Sequence, residues 1–170
     1  IGTASTDSST FTGGVIATGG SSKNIAGTVA ATTGASVINL GVSPVSVTDT
    51  ASVGGAATGQ ITLGAVTIAD GKSLTVGTGI NNTLSLSSVI GNAGAGAETL
   101  TINTTGPVTV SGAVGSGAVP LDQLTVTESA VCLTRSECVQ EVATICSPSV
   151  SSRFNRDPGA TDSTSRTTEA

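Results

Sequence analysis

Seven times between residues 45 and 126 the sequence repeats one short pattern, an apolar residue, a hydroxyl residue and a second apolar residue. The copies are Val45-Ser46-Val47, Ile61-Thr62-Leu63, Leu74-Thr75-Val76, Leu84-Ser85-Leu86, Leu100-Thr101-Ile102, Val108-Thr109-Val110 and Leu124-Thr125-Val126. Alternation with period two, in residues rich in β-branching, is the pattern of a strand with one buried face. Successive side chains of a strand point to opposite faces, so the apolar members turn to a core and the hydroxyls turn out. Turn formers separate the copies: Gly54-Gly55, Asp70-Gly71, Asn81-Asn82, Gly91-Asn92 and Gly115-Ser116-Gly117. These residue types accept the backbone angles of tight turns. The expectation for residues 1–127 is all-β.

Two architectures fit short strands joined by frequent turns, a Greek-key β-sandwich and a stack of solenoid rungs. Successive triplets begin 16, 13, 10, 16, 8 and 16 residues apart, too uneven for a strict solenoid repeat. Composition points the other way. Aromatic residues are 1% of the 170, namely Phe11 and Phe154, and there is no Trp, Tyr, Met or His. A thick core is normally anchored by aromatics that bury roughly 150–250 Å² each. Val, Ile, Leu, Ala and Thr suit thin, regular layers instead. An irregular β-solenoid is therefore the first expectation and the sandwich the alternative.

The composition changes abruptly after residue 127. Every Arg (Arg135, Arg153, Arg156, Arg166) and every Cys (Cys132, Cys138, Cys146) lies beyond it, so residues 1–127 and 128–170 read as two regions. Thr134-Arg-Ser-Glu137 fits a capping box, and Cys138, Val139, Val142, Ile145 and Cys146 then share a helical face. That pattern predicts a short helix over about 135–146, ended by Ser147-Pro148. The polar remainder to Ala170 reads as an extended tail that needs a surface to lie on, a neighbouring subunit being the first choice. Ile1, Phe11, Arg153, Phe154 and Arg156 are the candidate subunit contacts. Three cysteines imply one disulfide plus a free or intermolecular thiol in an oxidising compartment. On a helix, Cys138 and Cys146 stand about 12 Å apart, beyond the roughly 7 Å a bridge spans, whereas Cys132 can fold back on either.

The chain is poor in chemistry-bearing groups. Without His it lacks the commonest general base, the usual triads and most zinc ligand sets. Asp49, Asp70 and Asp122 are the carboxylates a glycoside-cleaving pair would draw on, but each sits in a turn-like context where Asp serves as a local acceptor. Gly71-Lys72-Ser73 resembles the end of a phosphate loop, yet Val66 stands where its first Gly belongs. Gly91–Ala97 is glycine-rich without a dinucleotide fingerprint. Asn81 and Asn103 begin glycosylation-type tripeptides but read as turn and strand residues. In the triplet strands only Thr125-Val126-Thr127 continues as the Thr-x-Thr row of an ice-binding face. The expectation is no catalytic residue, no cofactor and no metal, hence a protein that is not an enzyme. A net charge of −5 argues against a nucleic-acid partner, and no apolar run reaches the roughly 18 residues of a membrane-spanning helix.

Gly64–Val76 (GAVTIADGKSLTV), Gly106–Val114 (GPVTVSGAV) and Pro120–Thr127 (PLDQLTVT) resemble the degenerate repeats of large bacterial surface adhesins and autotransporter-like passengers. The resemblance covers about residues 11–127 and rests on composition more than on a fixed motif. It implies a secreted or cell-surface β-solenoid that attaches cells to surfaces or to one another. The calcium-binding nonapeptide of toxin-like β-rolls does not occur. Ile1 in first position fits a processed chain or a piece of a larger product. The expected function is an extracellular structural protein whose copies associate into a fibre, sheath or surface layer. An adhesin segment for a glycan or host surface, and a bacteriophage fibre or virion decoration protein, are the alternatives.

Overall fold

A computed structural model describes residues 1–34, 36–55, 59–78, 82–92, 97–116 and 118–127, and the backbone of two further strands at 130–134 and 144–148. In chain order the strands are β1 (Ser8–Phe11), β2 (Gly14–Ile16), β3 (Lys23–Ala31), β4 (Val37–Asn39), β5 (Val45–Gly54), β6 (Gln60–Ile68) and β7 (Ser73–Val76). There follow β8 (Thr83–Gly91), β9 (Thr99–Asn103), β10 (Val108–Val110), β11 (Gln123–Thr127), β12 (Ala130–Thr134) and β13 (Thr144–Pro148). Every pairing among β1 to β12 is parallel, and each strand pairs with the strand one coil away. The chain is a parallel β-solenoid of about five turns, not a sandwich.

Each coil contributes to three faces. Face A stacks β1, the second half of β3, the second half of β5, β7, β9 and β11. Face B stacks β2, β4, the first half of β6, the first half of β8, β10 and β12. Face C stacks the first halves of β3 and β5 on the second halves of β6 and β8, and ends in a bridge from Val89 to Val114. The uneven spacing of the triplets follows from this geometry, because neighbouring triplets in sequence occupy different faces. Along face B alone, Val15, Ile38, Ile61, Leu84 and Val108 recur every 23 or 24 residues in direct register.

The same registers turn the apolar halves of the triplets into continuous interior columns. Val29, Val53, Val76, Ile102 and Val126 form one on face A, and Val45, Val66, Val89 and Val114 one on face C. The largest fully buried side chains are Leu and Ile, with one exception, Glu98. Burial of each such aliphatic side chain stabilises by about 1.5–3 kcal/mol, and each coil buries its own only against its neighbours. A narrow prism leaves no room for rings, and Phe11 accordingly packs half-buried at the first coil.

Corners set the coil's cross-section. At Gly27 β3 turns from face C to face A with φ +66°, and the pairing register with β5 shifts there. Where β6 turns from face B to face C, a Cβ on Gly64 would strike the carbonyl oxygen of Ser43 and approach the Val42 carbonyl carbon to 2.7 Å. At the corner between faces A and B the buried Thr104 hydroxyl donates to the Asn82 carbonyl at 2.7 Å and accepts from the N–H groups of Asn82 and Gly106, both at 3.0 Å. At this corner the backbone polar groups thus stay engaged as the chain changes direction.

Gly64→Ala is expected to lower stability by about 1–3 kcal/mol through backbone overlap with the preceding coil. Gly13→Ala, where an added Cβ meets nothing within 4 Å, should stay within about 0.5 kcal/mol of the parent. Paired thermal melts followed by circular dichroism check the contrast, and equal losses would contradict the close-approach account.

Candidate functional site

The partly buried apolar side chains that pack on the core are Phe11, Val15, Ala17, Val114, Leu121, Leu124 and Val126. All seven belong to the first or the last coil. Among the described residues they are the outermost members of the interior columns, packed against the core on their inner side. The candidate site is therefore not a pocket but the two end surfaces of the solenoid.

At the first coil β1 pairs with β3 alone, which leaves the backbone groups on its outer side without a strand partner among the described residues. Its flank on face C is occupied by the chain start: the Ile1 ammonium donates to the Asn24 carbonyl at 2.6 Å, and the Ala26 N–H donates to the Ile1 carbonyl at 3.0 Å. Ile1 and Phe11, two of the sequence-predicted contact residues, both stand at this end. Ile16, on β2, is 72% exposed beside them. The inward column that continues as Val45 and Val66 begins here with Lys23, whose ammonium is buried and has no hydrogen-bond partner.

Two carboxylates hold the first coil in shape. Asp7 Oδ2 accepts from the Thr3 N–H at 2.6 Å, the Thr3 hydroxyl at 3.0 Å and the Ala4 N–H at 3.1 Å. These donors, the Thr3 backbone first, hold the Asp7 carboxyl below its ordinary pKa. The turn so formed lies over Gly27, whose hypothetical Cβ would meet the carbonyls of Asp7 and Ala4. Asp49 reaches the same turn from β5, accepting from the Ser5 N–H at 2.9 Å while pairing with Lys72 Nζ at 2.8 Å. The Lys72 contact first, then the Ser5 and Thr50 N–H groups, lowers Asp49 from 3.8 to about 2. One side chain thereby ties the chain start, β5 and the turn before β7. The Asp49 carboxylate and the Lys72 ammonium both take part in this tie, and the Lys72 N–H donates to the Ala69 carbonyl at 3.0 Å across the turn that leads into β7 at Ser73.

At the last coil β11 pairs with β9 and with no other described strand. Leu124 and Val126 end two interior columns there, and Val114 ends the column on face C. Face B is different. β12 extends it by one strand, and β13 then pairs antiparallel to β12, with Ala130 opposite Pro148 and Thr134 opposite Thr144. Of the helix expected over about 135–146, residues 135–143 lie outside the described residues, and Thr144, Ile145 and Cys146 belong to β13. Arg153, Phe154, Arg156 and Cys138 also lie outside the described residues, so the contacts expected of them are not placed. Cys132 and Cys146 stand in β12 and β13.

Of the polar interior, Glu98 stands apart. It is fully buried at the corner between faces C and A, neither carboxylate oxygen has a hydrogen-bond partner, and Oε2 lies against Gly91. Its backbone carbonyl accepts from the Asp122 N–H at 2.9 Å. Among the described residues no group of three His, Cys, Asp or Glu is placed to hold a metal ion. Outside, face A carries a column of hydroxyls over its whole height: Ser8, Thr28, Ser52, Thr75, Thr101 and Thr125. A second column sets Ser73 beside Thr99 and Gln123, and the Thr99 hydroxyl donates to Ser73 Oγ at 2.7 Å. Thr99 and Thr101 thus share the outward face, a Thr-x-Thr row additional to that of residues 125–127.

No family model matches the chain, and neither a curated protein nor a solved structure is similar to it.

Asp49 has a folded-state pKa below its unfolded one, so its contribution is complete above about pH 4 and is lost as pH falls through about 2. Asp49→Asn should therefore melt below the parent at pH 7, with the gap narrowing between about pH 4 and pH 2. Melting temperatures of the two proteins across that range decide it, and a gap that does not change with pH would refute the tie.

Proposed function

We propose that the chain is a non-enzymatic structural protein of the cell exterior, whose copies stack end to end into a fibre, sheath or surface layer. The observation that carries this reading is the match between the two ends of face A. β11 at one end and β1 at the other are strands of one parallel sheet with no strand on their outer sides among the described residues, and each is backed by half-buried apolar side chains. Because all strands of the face run the same way, β1 of a second copy can follow β11 without reversing direction. In that register Thr125 precedes Ser8 and Val126 precedes Ser9, so both the hydroxyl column and the interior column pass from copy to copy. Open strand edges favour such addition. A head-to-tail contact that does not close a ring generates a filament.

The likeness of residues 64–76, 106–114 and 120–127 to adhesin and autotransporter-like repeats supports an extracellular setting. The low charge of the sequence, 10% of residues, leaves little like-charge repulsion to oppose stacking. Binding of a glycan or host surface by a single copy, and service in a phage fibre, are the competing roles.

Negative-stain electron microscopy with light scattering tests the proposal. The native chain should form unbranched stacks, and Ser9→Lys, which places an ammonium in the seam beside Val126, should stay monomeric with an unchanged circular dichroism spectrum. A parent that remains a monomer near 16.2 kDa at high concentration overturns stacking and turns attention to a ligand-binding surface.

A further inference from the structure

The pairing of β12 with β13 sets Cys132 directly opposite Cys146. Directly opposed residues of an antiparallel pair have Cα atoms about 4.5 or 5.5 Å apart, depending on which of the two alternating sites they occupy. Both separations fall inside the roughly 4.4–6.8 Å window of protein disulfides. The parallel register on the other side of β12 aligns Cys132 with Thr109, which continues the column Asn39, Thr62 and Ser85. That column alternates with the core columns and is at least partly exposed along its described length. The register therefore sets two of the three cysteines directly opposite each other on neighbouring strands, and Cys138 is not part of that pair. Spacing alone left Cys132 free to pair with either partner, and the strand register chooses between them.

We propose that Cys132 and Cys146 form a cross-strand disulfide that pins β13 on β12 and closes face B to further strands. Its formation is a thiol–disulfide exchange with a disulfide-bearing donor, a small molecule or an oxidoreductase. The thiolate of one cysteine attacks the donor, giving a mixed disulfide and releasing one donor thiol. The thiolate of the other cysteine then attacks the protein sulfur of that mixed disulfide, forming the Cys132–Cys146 bond and releasing the second donor thiol. Two protons and two electrons pass to the donor in all, and no other reactant is needed.

The consequence for assembly rests on the end-to-end reading. β13 lies where β2 of the next copy would otherwise continue face B, and it runs in the opposite direction to the strands below it. With β13 pinned, copies join without face B. With the bond reduced, β13 can be displaced and the third face becomes available.

The test uses the full oxidised chain, alkylated without reductant and cut after Arg and Glu. Those cuts place the cysteines on three separate peptides, Ser129–Arg135, Cys138–Glu141 and Val142–Arg153. Mass spectrometry should find the first and third joined and the second alkylated, and the joined species should persist in Cys138→Ser. Three alkylated peptides, or a link that includes Cys138, overturn the proposal. In light scattering, reductant or Cys146→Ser should raise the mean stack length severalfold. No change in stack length, with the link present, overturns the capping role of β13 and leaves the disulfide standing. Monomers under both conditions, with the link present, overturn the stacking reading instead.

Discussion

Everything in this molecule depends on a parallel backbone ladder between segments one coil apart in sequence. A parallel ladder aligns residue with residue, so a pattern that recurs once per coil becomes a continuous column of like side chains. The interior columns of Val, Ile and Leu and the outward columns of Ser and Thr are two results of that one alignment. The ladder also dictates where the structure is incomplete. A stack of parallel strands has no natural last member, and its terminal strands retain unpaired N–H and C=O groups on one side. The half-buried apolar side chains gather at the same two places for the same reason.

The thin interior explains both the composition and its exceptions. Three faces that meet at tight corners enclose a space that aliphatic side chains of one to four carbons fill, and the one described aromatic ring lies at an end. Polar groups enter this space on differing terms. Thr104 and Asn82 are tied into the backbone of a corner. Lys23 sits at the start of an inward column, where its stem continues the apolar line. Glu98 has neither arrangement, and a buried carboxylate without donors opposes folding. The carboxylates nearer solvent do the opposite, since Asp7 and Asp49 each collect several donors and fasten the first coil.

Much of this was legible in the sequence, and the failures are instructive. The triplets marked strands correctly because period-two alternation reports directly on which side of a strand meets a core. Their uneven spacing obscured the coil, because a linear reading counts from one triplet to the next while the chain passes from face to face. Counting from Ile61 to Leu84 to Val108, every second triplet, recovers the repeat. Asp49 and Lys72 stand 23 residues apart, and nothing in the linear sequence joins them. Only the stacking of coils brings them to 2.8 Å. The Thr99 row was overlooked because its first threonine precedes its triplet instead of following it. The pairing of Cys132 was open for a related reason, as spacing constrains a helix more tightly than it constrains a strand whose partner is unknown.

The 23-residue coil also makes the solenoid a ruler. Each coil advances the axis by one strand spacing, about 4.8 Å, whatever residues it carries outside. Gain or loss of one whole coil would leave every column intact and change only length. Gain or loss of a single residue within a strand would exchange inward and outward side chains from that point to the next corner. Insertions between strands leave the alternation within each strand untouched. A lineage carrying this fold can therefore adjust reach in uniform steps while its cross-section stays fixed.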